Sequence, residues 1–127
     1  MKQRPLYLEL ASLIDAYHRC VEKGNEYADK HEERIESLVK EHMPSGSGID
    51  CGTEIDIDKS TGEKLVFTMS YHHMNDGGMY DGWTEHSIIV TPAFICGPRI
   101  KITGRNRNGI KDYLHDVYSE AIETVIN

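Results

Sequence analysis

Arg99, Lys101, Arg105, Arg107 and Lys111 fall within a stretch that contains no acid, whereas residues 46–98 carry eight acids and two bases. The basic stretch runs into the expected start of a helix, with Asn108 as its cap. A helix N-terminus presents free amides and a partial positive charge, which together attract anions. Arginines add bidentate contacts to phosphate, and Gly104 and Gly109 let backbone approach it closely. These five bases and Asn108 are the expected ligand-binding patch, and its occupant would be a phosphorylated small molecule such as a nucleotide signal. The competing reading is structural: the bases neutralise the acidic strands and keep an edge strand from pairing.

A second cluster joins Tyr71, His72, His73 and Met74 to Asp81, Trp83, Glu85 and His86. Histidines and carboxylates can hold a metal or move protons. His72 and His73 are neighbours on an expected strand, however, so they point to opposite faces and share no metal without a bulge. His73 and His86 fall on the expected core face, where a neutral imidazole hydrogen-bonded to a tyrosine or to backbone explains them. His72, Tyr80, Trp83 and Glu85 would form a pocket rim. No metal site and no cofactor is expected.

The loop Ser45 to Asp50 is rich in glycine and serine, but no Gly-Lys-Ser/Thr follows and it leads into a strand. It reads as a linker rather than a phosphate cradle. No nucleophile motif is present, so binding is favoured over catalysis. A metal-dependent enzyme using His72, Asp81, Glu85 or His86 is the least favoured reading. Cys20, Cys51 and Cys96 give neither a disulfide framework nor a metal clip and read as reduced thiols. A net charge of −7 argues against direct nucleic-acid binding, and no apolar run suggests a signal peptide or a membrane span.

The elements that must position these residues follow from periodicity. Residues 5–42 repeat apolar side chains at three-and-four spacing, from Leu6, Leu10, Ile14 and Tyr17 to Ile35, Leu38 and Val39. Gly24-Asn25 divides the run, so a helical hairpin is preferred to one long helix. Within 50–103 the period becomes two, giving four strands around Ile55, Phe67, Ile88 and Ile102. Lys59–Glu63 and Asn75–Gly78 read as turns, and Cys96-Gly97-Pro98 separates the last two strands. A helix over 109–125 follows, with Ile110, Tyr113, Leu114, Val117, Ala121, Ile122 and Val125 as its apolar stripe. The expected fold is one α+β domain spanning 1–127: a four-stranded antiparallel meander with helices on one face. Pairing His73 with Thr84 would place His72 opposite Glu85 on the other, polar face.

The segments Pro44 to Asp50, Tyr71 to Met74, Tyr80 to His86, Gly104 to Asn108 and Ile110 to Tyr113 resemble a family of small phage and prophage proteins. That resemblance implies a mobile genetic element acting in a bacterial cytoplasm and supplies no catalytic residue. The leading expectation is therefore a non-enzymatic host-interference protein that sequesters an anionic small molecule. The alternative is an acidic inhibitor that docks on a host defence protein, with Glu54, Asp56 and Asp58 imitating phosphates. Self-association is expected in either case, through the Ser/Thr-rich sheet face.

Overall fold

The structure, a computed structural model, describes residues 6–24, 26–46, 48–91 and 99–126. Helices α1 (Leu6–Glu22) and α2 (Ala28–His42) form the hairpin. Gly24 closes α1 at φ 65°, with its amide on the Val21 carbonyl, as the left-handed C-terminal position of a helix favours. Asn25 lies outside the described residues, and Tyr27 opens α2 with no side-chain cap.

Strands β1 (Ile49–Ile55), β2 (Leu65–Met74), β3 (Tyr80–Thr91) and β4 (Arg99–Ile102) form the antiparallel meander in that order. Helix α3 (Ile110–Ile126) follows a single 3-10 turn, Arg107–Gly109. The fold is thus α+β, with helices at its two ends. The Cys96-Gly97-Pro98 break expected before β4 lies outside the described residues.

Alternation along the strands sends Leu65, Phe67, Met69, Ile88, Val90 and Ile102 to the face the helices cover, and all are buried. Leu10 and Ile14 of α1 and Ile35, Leu38 and Val39 of α2 meet them. From α3 come Ile110, Leu114, Tyr118 and Ile122, every fourth residue. The expected α3 stripe is corrected here: Tyr113 is 48% exposed, and Tyr118, missing from that stripe, is wholly buried.

Tyr118 is tolerated in the core because its hydroxyl has a partner. Thr53 Oγ1 donates to the Pro44 carbonyl at 2.7 Å, so the Tyr118 hydroxyl donates to Thr53 Oγ1, also at 2.7 Å. Burial pushes the Tyr118 phenol above its ordinary value. Thr53→Val keeps the shape but strands both the phenol and the carbonyl. The expected cost is about 2–3 kcal/mol, against about 1 kcal/mol for Tyr118→Phe, which leaves Thr53 bonded to Pro44. Urea unfolding of both variants checks this ordering.

Two bulges shape the sheet. Asp50 pairs Ser70 and Glu54 pairs Thr68, so β1 uses four steps where β2 uses two. Gly52, at φ 84°, lies in the insertion. In the second bulge, His72 pairs Trp83 and Met74 pairs Tyr80, leaving one extra residue on β3 at Asp81-Gly82. Gly82 is at φ 89°, the left-handed conformation that a glycine bulge uses. The expected register is corrected accordingly: His72 faces Trp83, and Glu85 faces Ser70. The displacement is two residues, which preserves every side chain's face and changes only its neighbours.

The turn between β1 and β2 is anchored to α1. His18 Nε2 lies 3.0 Å from the carbonyls of both Ile57 and Ser60, so it carries the proton and donates. Ser60 is fully buried and closes the turn through its hydroxyl to Asp56 O and from Val66 N. Asp56 takes the Lys59 amide at 3.2 Å. Asp58 acts on Tyr17 and Glu32 on the helical side. Glu54, Asp56 and Asp58 are therefore not one strip along a strand, because β1 ends at Ile55.

Candidate functional site

The sheet face away from the core is concave where β1 bulges. A cavity of about 500 Å³ lies there, lined by Asp50, Gly52 and Glu54 of β1, Thr68 and Ser70 of β2, Glu85 and Ser87 of β3, and Thr103. No basic side chain lines it other than the inward-facing His86. Glu54 and Glu85 have no ion-pair partner among the described residues, and Asp50 lies 3.4 Å from His72 Nε2. Thr103 Oγ1 is engaged with Ser87 backbone. The hydroxyls of Thr68, Ser70 and Ser87 have no hydrogen-bond partner among the described residues. The trough therefore offers negative charge and free hydroxyls together.

Beyond its β2–β3 end the same face turns apolar. Trp83, Tyr80 and Met74 are exposed by 57%, 55% and 61%, and the Tyr80 ring meets His72 edge-on at 5.2 Å. Three large side chains exposed side by side on one strand pair are unusual for a surface without a partner. Toward the other end Lys101 and Arg99 stand on β4, opposite Ile89 and Thr91. The face is thus acidic in its middle, aromatic at one end and basic along one edge.

A second cavity, about 400 Å³, opens on the helix side between the end of β2 and the start of α3. Tyr71, His73, Arg107, Gly109 and Tyr113 are among its walls. The Tyr71 ring meets His73 at 5.2 Å and Tyr113 at 6.1 Å, edge to face in both cases. It lies so close over Gly48 that a Cβ there would come within 2.5 Å of the ring. Arg107 is fixed by Asp81: Nη2 donates to the carboxylate and Nη1 to the Asp81 carbonyl, each at 2.6 Å.

The basic run does not line one cavity together. Arg107 and Asn108 line the second cavity together with His72, but Arg99, Lys101, Arg105, Lys111 and Trp83 line neither cavity, and Glu85 belongs to the first. Arg107 spends its charge on Asp81. Asn108 is not the helix cap: it sits at φ 55°, ψ 27°, and the side chain of Asn106 instead accepts the Lys111 amide at 2.9 Å. The Ile110 amide bonds the Arg107 carbonyl. Two amides at the start of α3 are thus already satisfied, which weakens it as an anion site. Of the expected rim, His72 meets Tyr80 and pairs with Trp83, and Glu85, two residues along the same face of β3, lines the trough.

Behind the second cavity runs a buried polar chain. His73 Nε2 lies 2.8 Å from Thr84 Oγ1, Thr84 Oγ1 lies 2.7 Å from His86 Nε2, and His86 Nδ1 lies 2.8 Å from the Thr103 carbonyl. His73 is 4% and His86 3% exposed. Burial holds His73 below the ordinary histidine value, and Arg107 and His86 push it the same way against Asp81. Both histidines are buried and hydrogen-bonded, His86 through both ring nitrogens and His73 through Nε2, and a threonine rather than a tyrosine joins them. Among the described residues no three or more His, Cys, Asp or Glu side chains group to hold a metal. Likewise, no helix is long and apolar enough to cross a membrane. A search of family models, curated proteins and solved structures finds no match to this chain.

Proposed function

We propose that the protein is a non-catalytic binding protein whose polar sheet face captures a basic surface of another protein. The supporting observation is the trough itself: two unpaired carboxylates, Glu54 and Glu85, and free hydroxyls lie in a concavity next to exposed Trp83, Tyr80 and Met74. Aromatic residues and methionine are enriched in the cores of protein interfaces, and a tryptophan is a common energetic anchor. The carboxylates would receive lysine or arginine side chains and set the register. In the phage context that the sequence resembles, the partner would be a host defence protein in the bacterial cytoplasm.

Trp83→Ala and the double reversal Glu54→Lys/Glu85→Lys should each remove a stoichiometric partner recovered from host lysate. The expected loss is about 2 kcal/mol or more for the tryptophan alone. All three positions are exposed, so melting temperatures should stay near wild type. Recovery of the same partner by both variants would sink this reading. Arg99 and Lys101 make a second copy of the chain the competing occupant, and light scattering of wild type and the reversed variant separates the two cases.

Capture of a phosphorylated small molecule keeps one support, Arg107 at the tyrosine-lined cavity. Arg107→Glu should then abolish stabilisation by a nucleotide, and an unchanged melting response would remove phosphate capture at this place.

A further inference from the structure

The buried histidine chain fixes its own protons. The Thr103 carbonyl only accepts, so His86 Nδ1 carries hydrogen and, in the neutral ring, Nε2 is a bare acceptor. Thr84 must then donate to His86 Nε2, and its oxygen receives the proton of His73 Nε2. His73 Nδ1 is left as a lone pair. His73 is 4% exposed, lines the 400 Å³ cavity, and Nδ1 has no partner among the described residues. A buried acceptor without a donor costs about 1–3 kcal/mol.

The opposite requirement comes from Arg107. Asp81 takes two of its N–H groups, and a guanidinium has five. Three remain, while the charge is already met. The cavity therefore asks for hydrogen bonds rather than for net negative charge: a donor toward His73 and an acceptor toward Arg107. Its walls at Tyr71 and Tyr113 are flat and apolar, and Tyr113 is half exposed at the mouth. Cavities of this size hold small organic ligands.

We infer that this cavity binds a planar ring amide, a heterocycle with N–H beside C=O as in uracil or hypoxanthine, with His73 Nδ1 accepting its N–H. The site adjoins the polar sheet face, sharing His72 and Met74 with it, and stands whether or not that face binds a protein. The tyrosine rings pack on the heterocycle edge to face, and Arg107 donates to its carbonyl.

Uridine and inosine at roughly millimolar concentration are the probes, since either should raise the melting temperature by a few degrees or more. Their N-methylated forms, 3-methyluridine and 1-methylinosine, lack the donor and should bind about a hundredfold more weakly or worse. Tyr113→Ala should weaken binding without changing the melting temperature of the free protein. Nitrogen-15 NMR should show His73 in the free protein with hydrogen on Nε2, and its Nδ1 signal should move with uridine or inosine alone. No stabilisation by either probe, equal binding of the methylated forms, or hydrogen on Nδ1 in the free protein would each overturn the proposal.

Discussion

Alanine at position 104 should destabilise the protein by about 3 kcal/mol or more, one of the largest losses for a single added methyl. Gly104 sits at φ 96° just after Thr103, a region that an L side chain enters only with strain. A Cβ there would press into the Glu85 carbonyl oxygen and lie 2.7 Å from His86 Nδ1. Neither atom can give way cheaply. The first is β3 backbone, and the second belongs to a buried ring already bonded to Thr103. The loop would have to retreat, which lengthens the His86–Thr103 bond and opens the trough wall. Gly24→Ala is the control, since Gly24 is at φ 65° with nothing within 4 Å of its Cβ position. It should show the conformational cost alone, about 1 kcal/mol. Equal melting temperatures for the two variants would contradict the close approach.

The strands and helices were legible because hydrophobic period decides them, and Gly24-Asn25 marked where the helical run divides into a hairpin. Ile55 opposite Phe67 follows from parity and is found. Parity is blind to an even displacement, however, so nothing in the alternation distinguished Glu85 opposite His72 from Glu85 opposite Ser70. The bulges at Gly52 and Gly82 decide which carboxylates meet. Asp50, Glu54 and Glu85 line one trough, whereas the sequence grouped Glu54 with Asp56 and Asp58. The glycines were the available signal, since an isolated glycine in a strand pattern often marks a bulge.

Charge runs misled for a related reason. Arg99 and Lys101 leave β4 on one face, while Arg107 folds back across the glycine bulge to Asp81, a partner 26 residues earlier. Sequence proximity put these bases in one patch, but Arg107 alone among them lines either cavity. Asn106 and Asn108 are equally good caps by residue type, and only the left-handed φ at Asn108 shows which side chain reaches the helix. Tyr118 lies four residues from both Leu114 and Ile122, so its spacing was the available signal, and its phenol is tolerated in the core through one partner. That partner, Thr53, faces inward by alternation, two residues before Ile55, which pairs with the core residue Phe67.

Thr84→Val should be nearly as damaging as the glycine change, because one hydroxyl serves two buried rings. Valine keeps the volume and removes both hydrogen bonds, leaving the His73 Nε2 proton and the His86 Nε2 lone pair without partners. At about 1–3 kcal/mol for each stranded group the loss is about 2–5 kcal/mol, whereas Thr84→Ser, which keeps the hydroxyl, should retain most of the stability. The same network sets a pH dependence. His73 is held below the ordinary value of about 6.5 by burial first, then by Arg107 and His86, with Asp81 opposing. The unfolded chain therefore takes up a proton near pH 6.5 that the folded protein refuses. The contribution is present above that pH and is lost as pH falls toward the folded value. His73→Gln keeps a donor toward Thr84 but cannot titrate. The stability difference between wild type and this variant, from urea midpoints, should thus be constant above about pH 7 and shrink steadily below it. A difference that stays flat into the acid range would mean that His73 is as free to protonate folded as unfolded, and burial would then not be what keeps the ring neutral.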